Sequence, residues 1–284
     1  MLTQLLGKLP LSFFRNKKFD SAQFLFILGT GRNGSSLLSA LLNNNQSIYV
    51  APEQYQFAKC MVLGKLNIWN NQQIISHFYK SGYNWNTTIN KEKVNGLKTE
   101  QLLLKLYQEE AHFHNKKPKL IGDKTPHNLK HFKTIAKLLP NSNFIFLIRN
   151  PLDCFYSFKT MKTNNKKEIT AFAEDWKATI NNYKWAQQKG FKTTLVTYEQ
   201  LVSAKKLLQN QLESFIKIPL EFESVSATSV KQLSLLANEN HENINKPIFS
   251  NHVGRGAKKL TNDEVRYLKD SLGDYAKVIT NLTH

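Results

Sequence analysis

Carboxylates are in short supply in this chain. Its 284 residues carry 21 Asp and Glu against 39 Lys and Arg, a formal net charge of +18. An excess of that size favours anionic partners: a nucleotide, an acidic glycan, a nucleic acid or a membrane surface. Cysteine is scarcer still. Cys60 and Cys154 stand far apart, which supplies no disulfide framework and suits a reducing compartment. No apolar run reaches bilayer length. The basic, mildly apolar MLTQLLGKLPLSFFRNKKF at the start has neither an uninterrupted hydrophobic core nor a small-residue cleavage site. The expectation is a soluble, cytoplasmic protein with residues 1–21 as an N-terminal extension and 22–284 as a single domain. Peripheral membrane contact by the basic N-terminus stays open. No internal repeat is visible, and the oligomeric state is not legible.

Apolar β-type runs are present at FLFIL (24–28), SIYV (47–50), KLIG (119–122), NFIFLI (143–148) and TTLVTY (193–198). They are nearly continuous rather than alternating, which predicts strands covered on both faces, as in a parallel sheet. Helical patterns separate them: LLSALL after the first run, TEQLLLKLYQEEAHF (99–113), LKHFKTIAKLL (129–139), PLDCFYSFKTM, ITAFAEDWKATINNYKWAQQ and YEQLVSAKKLLQNQLESFI. Alternating strands and helices predict an α/β, P-loop-like fold, a central mostly parallel sheet flanked by helices. Polar stretches at 84–96, 162–167 and 237–247 read as surface loops or lids.

The densest chemistry lies in FLFILGTGRNGSS (24–36), a strand that stops at a glycine loop and passes into a helix. That arrangement aims backbone N–H groups and the positive end of a helix dipole at an anion. Arg32 adds a guanidinium, and Ser35 and Ser36 add hydroxyls. Three readings compete. Gly29, Gly31 and Gly34 satisfy G-x-G-x-x-G, with Glu53 near the position of a ribose ligand, as in an NAD(P)-binding Rossmann oxidoreductase. A nucleoside triphosphatase would need Gly-Lys-Ser/Thr where Gly34-Ser35-Ser36 stands, and an aspartate where NFIFLI ends in Arg149, so magnesium-nucleotide chemistry is disfavoured. The third reading takes Arg149 as a second anion ligand. It follows a buried strand and precedes a helix opened by Asn150-Pro151, with Asp153 complementing the dipole and Ser157 two turns along. Lys and Arg are dispersed, with no reading helix. No nucleic-acid partner is therefore expected, and a non-enzymatic nucleic-acid-binding module is the alternative outside the enzymes.

The loop G-x-x-R-N-G-S-S-L-L, joined to R-N-P-x-D-x-x-x-S at 149–157, resembles the phosphate-binding elements of the sulfotransferase superfamily. Members of that superfamily use 3′-phosphoadenosine-5′-phosphosulfate (PAPS). GDKTP (122–126) and LVTYEQL (195–201) lie in the matching order, and the resemblance spans roughly residues 22–260. It implies that Gly31, Arg32, Asn33, Gly34, Ser35 and Ser36 surround the 5′-phosphosulfate, and that Arg149 and Ser157 bind the 3′-phosphate. By the same resemblance Tyr198 contacts the adenine, and HVGRGAKKL (252–260) closes over the 3′-phosphate through Arg255 and Gly256, although the usual Arg-Lys-Gly order is missing.

The catalytic residues implied are Arg32 and Lys124 at the bridging oxygen and Glu53 as base, with His127 as the second candidate and Asp123 orienting Lys124. No metal is expected. The acceptor is a small molecule or carbohydrate, the positive charge favouring an anionic one, bound among Tyr55, Phe57, Trp69, Tyr83, Trp85, Trp176 and Trp185 or walled off from them if those aromatics are core. The reading requires the turns after the first and fourth strands to open into one cleft.

Overall fold

A computed structural model describes residues 23–81, 85, 94, 96–161, 168–222, 224–225 and 252–283, the last ten without their side chains. The expected extension, the lids at 162–167 and 237–247, and Tyr83 lie outside the described residues. So does the 84–96 stretch, apart from Trp85, Val94 and Gly96.

Five strands form one sheet in the order β2-β3-β1-β4-β5: β1 (Phe24–Leu28), β2 (Ile48–Ala51), β3 (Leu120–Asp123), β4 (Asn143–Ile148) and β5 (Thr193–Thr197). Every pairing is parallel, so the expected mostly parallel sheet is fully so among the described residues. This order differs from the 3-2-1-4-5-6 of a dinucleotide-binding sheet. The continuous hydrophobicity has the expected cause. Phe24, Phe26, Leu28, Phe144, Phe146 and Ile148 enter one core, while Leu25, Ile27, Ile145 and Leu147 enter a second on the opposite face. Each large side chain buried this way contributes roughly 1.5–3 kcal/mol, far more than its β-propensity.

The first core is roofed by α2 (Phe57–Lys65), α3 (Asn71–Ser81), α4 (Thr99–Phe113), α5 (Asn128–Leu138), α6 (Pro151–Lys159), α7 (Ile169–Gln188) and the leading part of α11 (Asn262–Thr283). The second is closed by α1 (Ser35–Leu42), α8 (Tyr198–Ser203) and α9 (Lys205–Ile216). A short α10 (Arg255–Lys259) packs on α6. The segment read as one helix from Tyr198 breaks at Ala204, which leaves helical geometry at φ −135° and ψ 42°. Both pieces still bury their leucines in the second core. Tyr198 itself opens α8, after Thr197 caps it by accepting from the Gln200 amide.

Several aromatics proposed as acceptor walls belong to the core. Phe57 and Trp176 are fully buried, and Trp69, Trp85 and Trp185 pack against the first core. Only Tyr55 of that set stands exposed among the described residues. None of the described helices is long and apolar enough to cross a membrane.

Candidate active site

Because all strands run the same way, the residue that follows each strand emerges on one edge of the sheet. The connection leaving β1 runs toward β2 and that leaving β4 runs toward β5, so the two part company and open a crevice between adjacent carboxyl ends. Residues 29–34 follow β1, Glu53 follows β2, Lys124 follows β3, Arg149 follows β4 and Tyr198 follows β5.

The loop after β1 is wound tightly. Gly31, Arg32 and Gly34 all have positive φ, at 82°, 53° and 97°. A Cβ on Gly34 would come within 2.6 Å of the Tyr198 ring, so glycine is required there by both backbone and neighbour. Gly34 precedes α1 without offering a side-chain cap, and the first turn holds no acidic residue. Ser36 is half-buried, while Ser35 is buried and its amide donates to Asn33 Oδ1 at 3.3 Å. Asn33 is 1 % exposed, and its amide nitrogen donates to the Leu147 carbonyl at 2.7 Å. That side chain braces the loop against β4, leaving the backbone of Asn33 in the loop expected to surround the anion.

Arg32 and Arg149 meet. Arg149 Nη1 donates to the Arg32 carbonyl at 3.4 Å and Nη2 to the His252 carbonyl at 2.8 Å. Its guanidinium lies 4.1 Å from the Tyr198 ring centroid, and Trp176 Nε1 donates to its carbonyl at 3.0 Å. Its Nε is buried with no hydrogen-bond partner among the described residues, an open donor in a 8 % exposed side chain. Arg32 Nε donates to Ser157 Oγ at 3.2 Å. Burial pushes the Arg32 pKa down from its ordinary value, and the Arg149 charge pushes the same way. Two like charges that feel each other, one of them with an open donor, favour an anion between them.

The segment after residue 252 is clasped from below. Asp153 accepts from the Gly254 amide at 2.8 Å through Oδ2 and from the Gly256 amide at 2.6 Å through Oδ1. Expected to serve the dipole of α6, this carboxylate instead holds α10; the α6 cap is Asn150, whose side chain accepts from Leu152 and Asp153. Gly256 is in contact with the α6 backbone, whereas Arg255 is exposed and bonds His252 Nδ1 at 2.8 Å. Glu199 Oε1 accepts from the Asn150 amide at 3.0 Å. Burial, the larger effect, pushes Glu199 upward, against that bond and the Arg149 charge.

On the other side of β1, Lys124 Nζ lies 2.6 Å from Glu53 Oε1 and the Tyr55 hydroxyl donates to Glu53 Oε2 at 2.5 Å. Lys124 is nearly buried, Glu53 a quarter exposed. The Gln54 amide donates to Thr125 Oγ1 at 2.8 Å and its side chain donates to the Phe78 carbonyl at 3.0 Å, locking the two loops together. Asp123 does not bond Lys124 as expected. It accepts from the Tyr107 hydroxyl and from Asn128 Nδ2 at 2.7 Å, and burial pushes its pKa up to about 6. His127 is exposed and its Nε2 meets His131 Nε2 at 3.0 Å instead of the carboxylate. Burial lowers its pKa.

The bond from Tyr55 to Glu53 and the Asp153 clasp were not foreseen. A phenol two residues from a carboxylate carries no sequence signature, and the clasp joins groups 101 and 103 residues apart. Three or more metal-ligating side chains nowhere cluster among the described residues.

Known proteins match this architecture. The model of the Sulfotransferase family matches residues 25–222. Among solved structures, the sulfotransferase domain from the curacin biosynthetic pathway is 17% identical with a TM-score of 0.59, covering 89% of this chain and 98% of that one. The sulfotransferase domain from the Synechococcus PCC 7002 olefin synthase is 15% identical at a TM-score of 0.56, covering 91% and 98%. Mouse sulfotransferase SULT7A1, complexed with PAP, is 14% identical at 0.52, covering 95% and 92%. No curated protein sequence matches the chain.

Proposed function

Because the chain belongs to the sulfotransferase family, whose enzymes are PAPS-dependent, we propose that it moves a sulfuryl group from PAPS to a hydroxyl or amine of a small-molecule or carbohydrate acceptor. The observation that carries this reading is the contact of Arg149 with the Arg32 carbonyl beyond the carboxyl ends of adjacent parallel strands, with one buried guanidinium donor still open.

The residues fit a donor with two anionic ends. Gly31, Arg32, Gly34, Ser35 and Ser36 would hold the 5′-phosphosulfate, where left-handed backbone turns N–H groups inward. Arg149, Ser157 and Arg255 would hold the 3′-phosphate, Gly256 fixing the Arg255 segment through its amide hydrogen bond to Asp153, and Tyr198, stacked under Arg149, would flank the adenine. Once bound, PAPS supplies a sulfuryl group already joined to a good leaving phosphate. The protein then has two tasks. Arg32 and Lys124 stabilise negative charge as it collects on the bridging oxygen. Glu53 takes the acceptor proton, Lys124 holding one carboxylate oxygen while the Tyr55 hydroxyl rests on the other until the acceptor arrives. The dinucleotide reading is disfavoured by the strand order β2-β3-β1-β4-β5.

Isothermal titration with adenosine 3′,5′-bisphosphate (PAP), 5′-AMP, ATP and NAD tests the proposal. PAP is expected to bind at least about tenfold tighter than the others, the worth of one charge-assisted bond to the extra phosphate. Arg149→Ala removes that preference while 5′-AMP affinity barely moves. Equal or tighter binding of NAD or ATP refutes the assignment.

A further inference from the structure

The phenol of Tyr55 sits where an acceptor hydroxyl would have to sit. It donates to Glu53 Oε2 at 2.5 Å, and Oε1 is taken by Lys124. Each oxygen of the carboxylate proposed as base therefore already accepts a bond before any acceptor arrives. The backbone beneath this ring is fixed. Gln54 is tied to Thr125 and to Phe78, and its Oε1 accepts from the Gln56 amide at 3.1 Å. The Tyr55 side chain, by contrast, is 37% exposed at the turn before α2. A hydrogen-bonded turn thus carries a ring that is partly open to solvent. The His127 ring, 6.2 Å away between centroids and tilted at 47°, flanks it.

We propose that Tyr55 is a guard on the base. Resting on the assignment of Glu53 above, its hydroxyl keeps water off Oε2 until a bulkier acceptor displaces it, so that the donor is not squandered. Water in that place would give its proton to Glu53 Oε2 and its oxygen would bond to sulfur. The bond between sulfur and the bridging phosphate oxygen would break, releasing inorganic sulfate and PAP. A free carboxylate oxygen invites that reaction, and a phenol already bonded to it competes with water by about one charge-assisted hydrogen bond. Tyr55 is in this sense a positioning residue for specificity and takes no part in the bond changes.

The test needs no knowledge of the acceptor. PAPS hydrolysis is followed by PAP release from wild type, Tyr55→Phe, Tyr55→Leu and Glu53→Gln, with PAP affinity and the unfolding midpoint as controls. Tyr55→Phe is expected to raise kcat for hydrolysis about tenfold while KM for PAPS stays unchanged, the same factor as the lost hydrogen bond. Tyr55→Leu does at least the same. Structural damage would lower the rate instead. Unchanged or slower hydrolysis in both Tyr55 variants, with PAP affinity intact and Glu53→Gln inactive, overturns the guard and leaves the base standing. Full hydrolysis by Glu53→Gln overturns base and guard together. Sulfate found on Tyr55 of the wild type by mass spectrometry also overturns the guard, since the phenol would then be an acceptor.

Discussion

Substituting Gly256 by alanine probes how the late segment is held over Arg149. An added Cβ would meet the Leu152 carbonyl carbon at 2.2 Å, its oxygen at 2.3 Å and the Asp153 nitrogen at 2.5 Å. All three are backbone atoms of α6, whose residues Pro151–Phe155 and Phe158 are buried, so α6 cannot yield. The short helix must retreat, and a retreat of about 1 Å takes bonds of 2.6 and 2.8 Å beyond hydrogen-bond range. Each bond to a carboxylate is worth roughly 1.5–3 kcal/mol, and water recovers part of it, leaving about 3 kcal/mol for the pair. At tenfold per 1.4 kcal/mol, the docked population of the segment falls by about two decades.

Hydrogen exchange of the Gly254 and Gly256 amides reads this directly, with a loss of protection of about a hundredfold expected. PAP affinity should weaken by at least about tenfold, because the His252 carbonyl also partners Arg149. Gly254→Ala is the internal control. Its φ is +78° but nothing lies within 4 Å of the added Cβ, so only about 1 kcal/mol of left-handed strain is incurred. Unaltered protection and PAP affinity within twofold in Gly256→Ala would refute the clasp.

Glu53→Ala should leave PAP affinity intact and abolish PAPS turnover, whereas His127→Ala should retain turnover; the reverse pattern in a steady-state assay makes His127 the base. Asp123 stays protonated more readily folded than unfolded, so its contribution to stability is whole below about pH 3.8 and fades as pH rises through about 6. Relative to Asp123→Asn, the wild type should therefore lose on the order of 3 kcal/mol between pH 3.5 and 7, read from urea midpoints at stepped pH. Lys116 Nζ is buried and donates to the carbonyls of Asn43 at 2.5 Å, Asn45 at 2.8 Å and Ile48 at 2.9 Å. Lys116→Met should cost about 2–4 kcal/mol in denaturant unfolding without changing PAP affinity.

The sheet was legible because burial on both faces leaves continuous apolar runs, and NFIFLI coincides with β4 residue for residue. The glycine loop was legible because it combines a helix start with charges that no core tolerates unpaired. What escaped were pairings between distant segments. Asp153 reads locally as a dipole complement, and only the fold brings Gly254 and Gly256 onto it. Asp123 and Lys124 are neighbours in sequence, yet they leave β3 in different directions, one toward Tyr107 and the other toward Glu53. The Asn33 side chain ties the loop to β4 through the Leu147 carbonyl, a partner 114 residues away. The break at Ala204 is a single non-helical residue, below the resolution of apolar spacing.

The order of the strands divides labour in this molecule. Arg32, Arg149 and Tyr198 leave β1, β4 and β5, while Glu53 and Lys124 leave β2 and β3, on the far side of the central strand. Residues 54–118, which hold α2 to α4, leave β2 and return to β3 within that second half of the strand order. In chain order the layout is modular: one continuous insertion covers the proton-accepting side, and its ring contacts with the nucleotide half run through Phe24 and Phe26 of β1. Transplanting that single stretch from a relative is therefore the natural route to a new acceptor on an old donor platform.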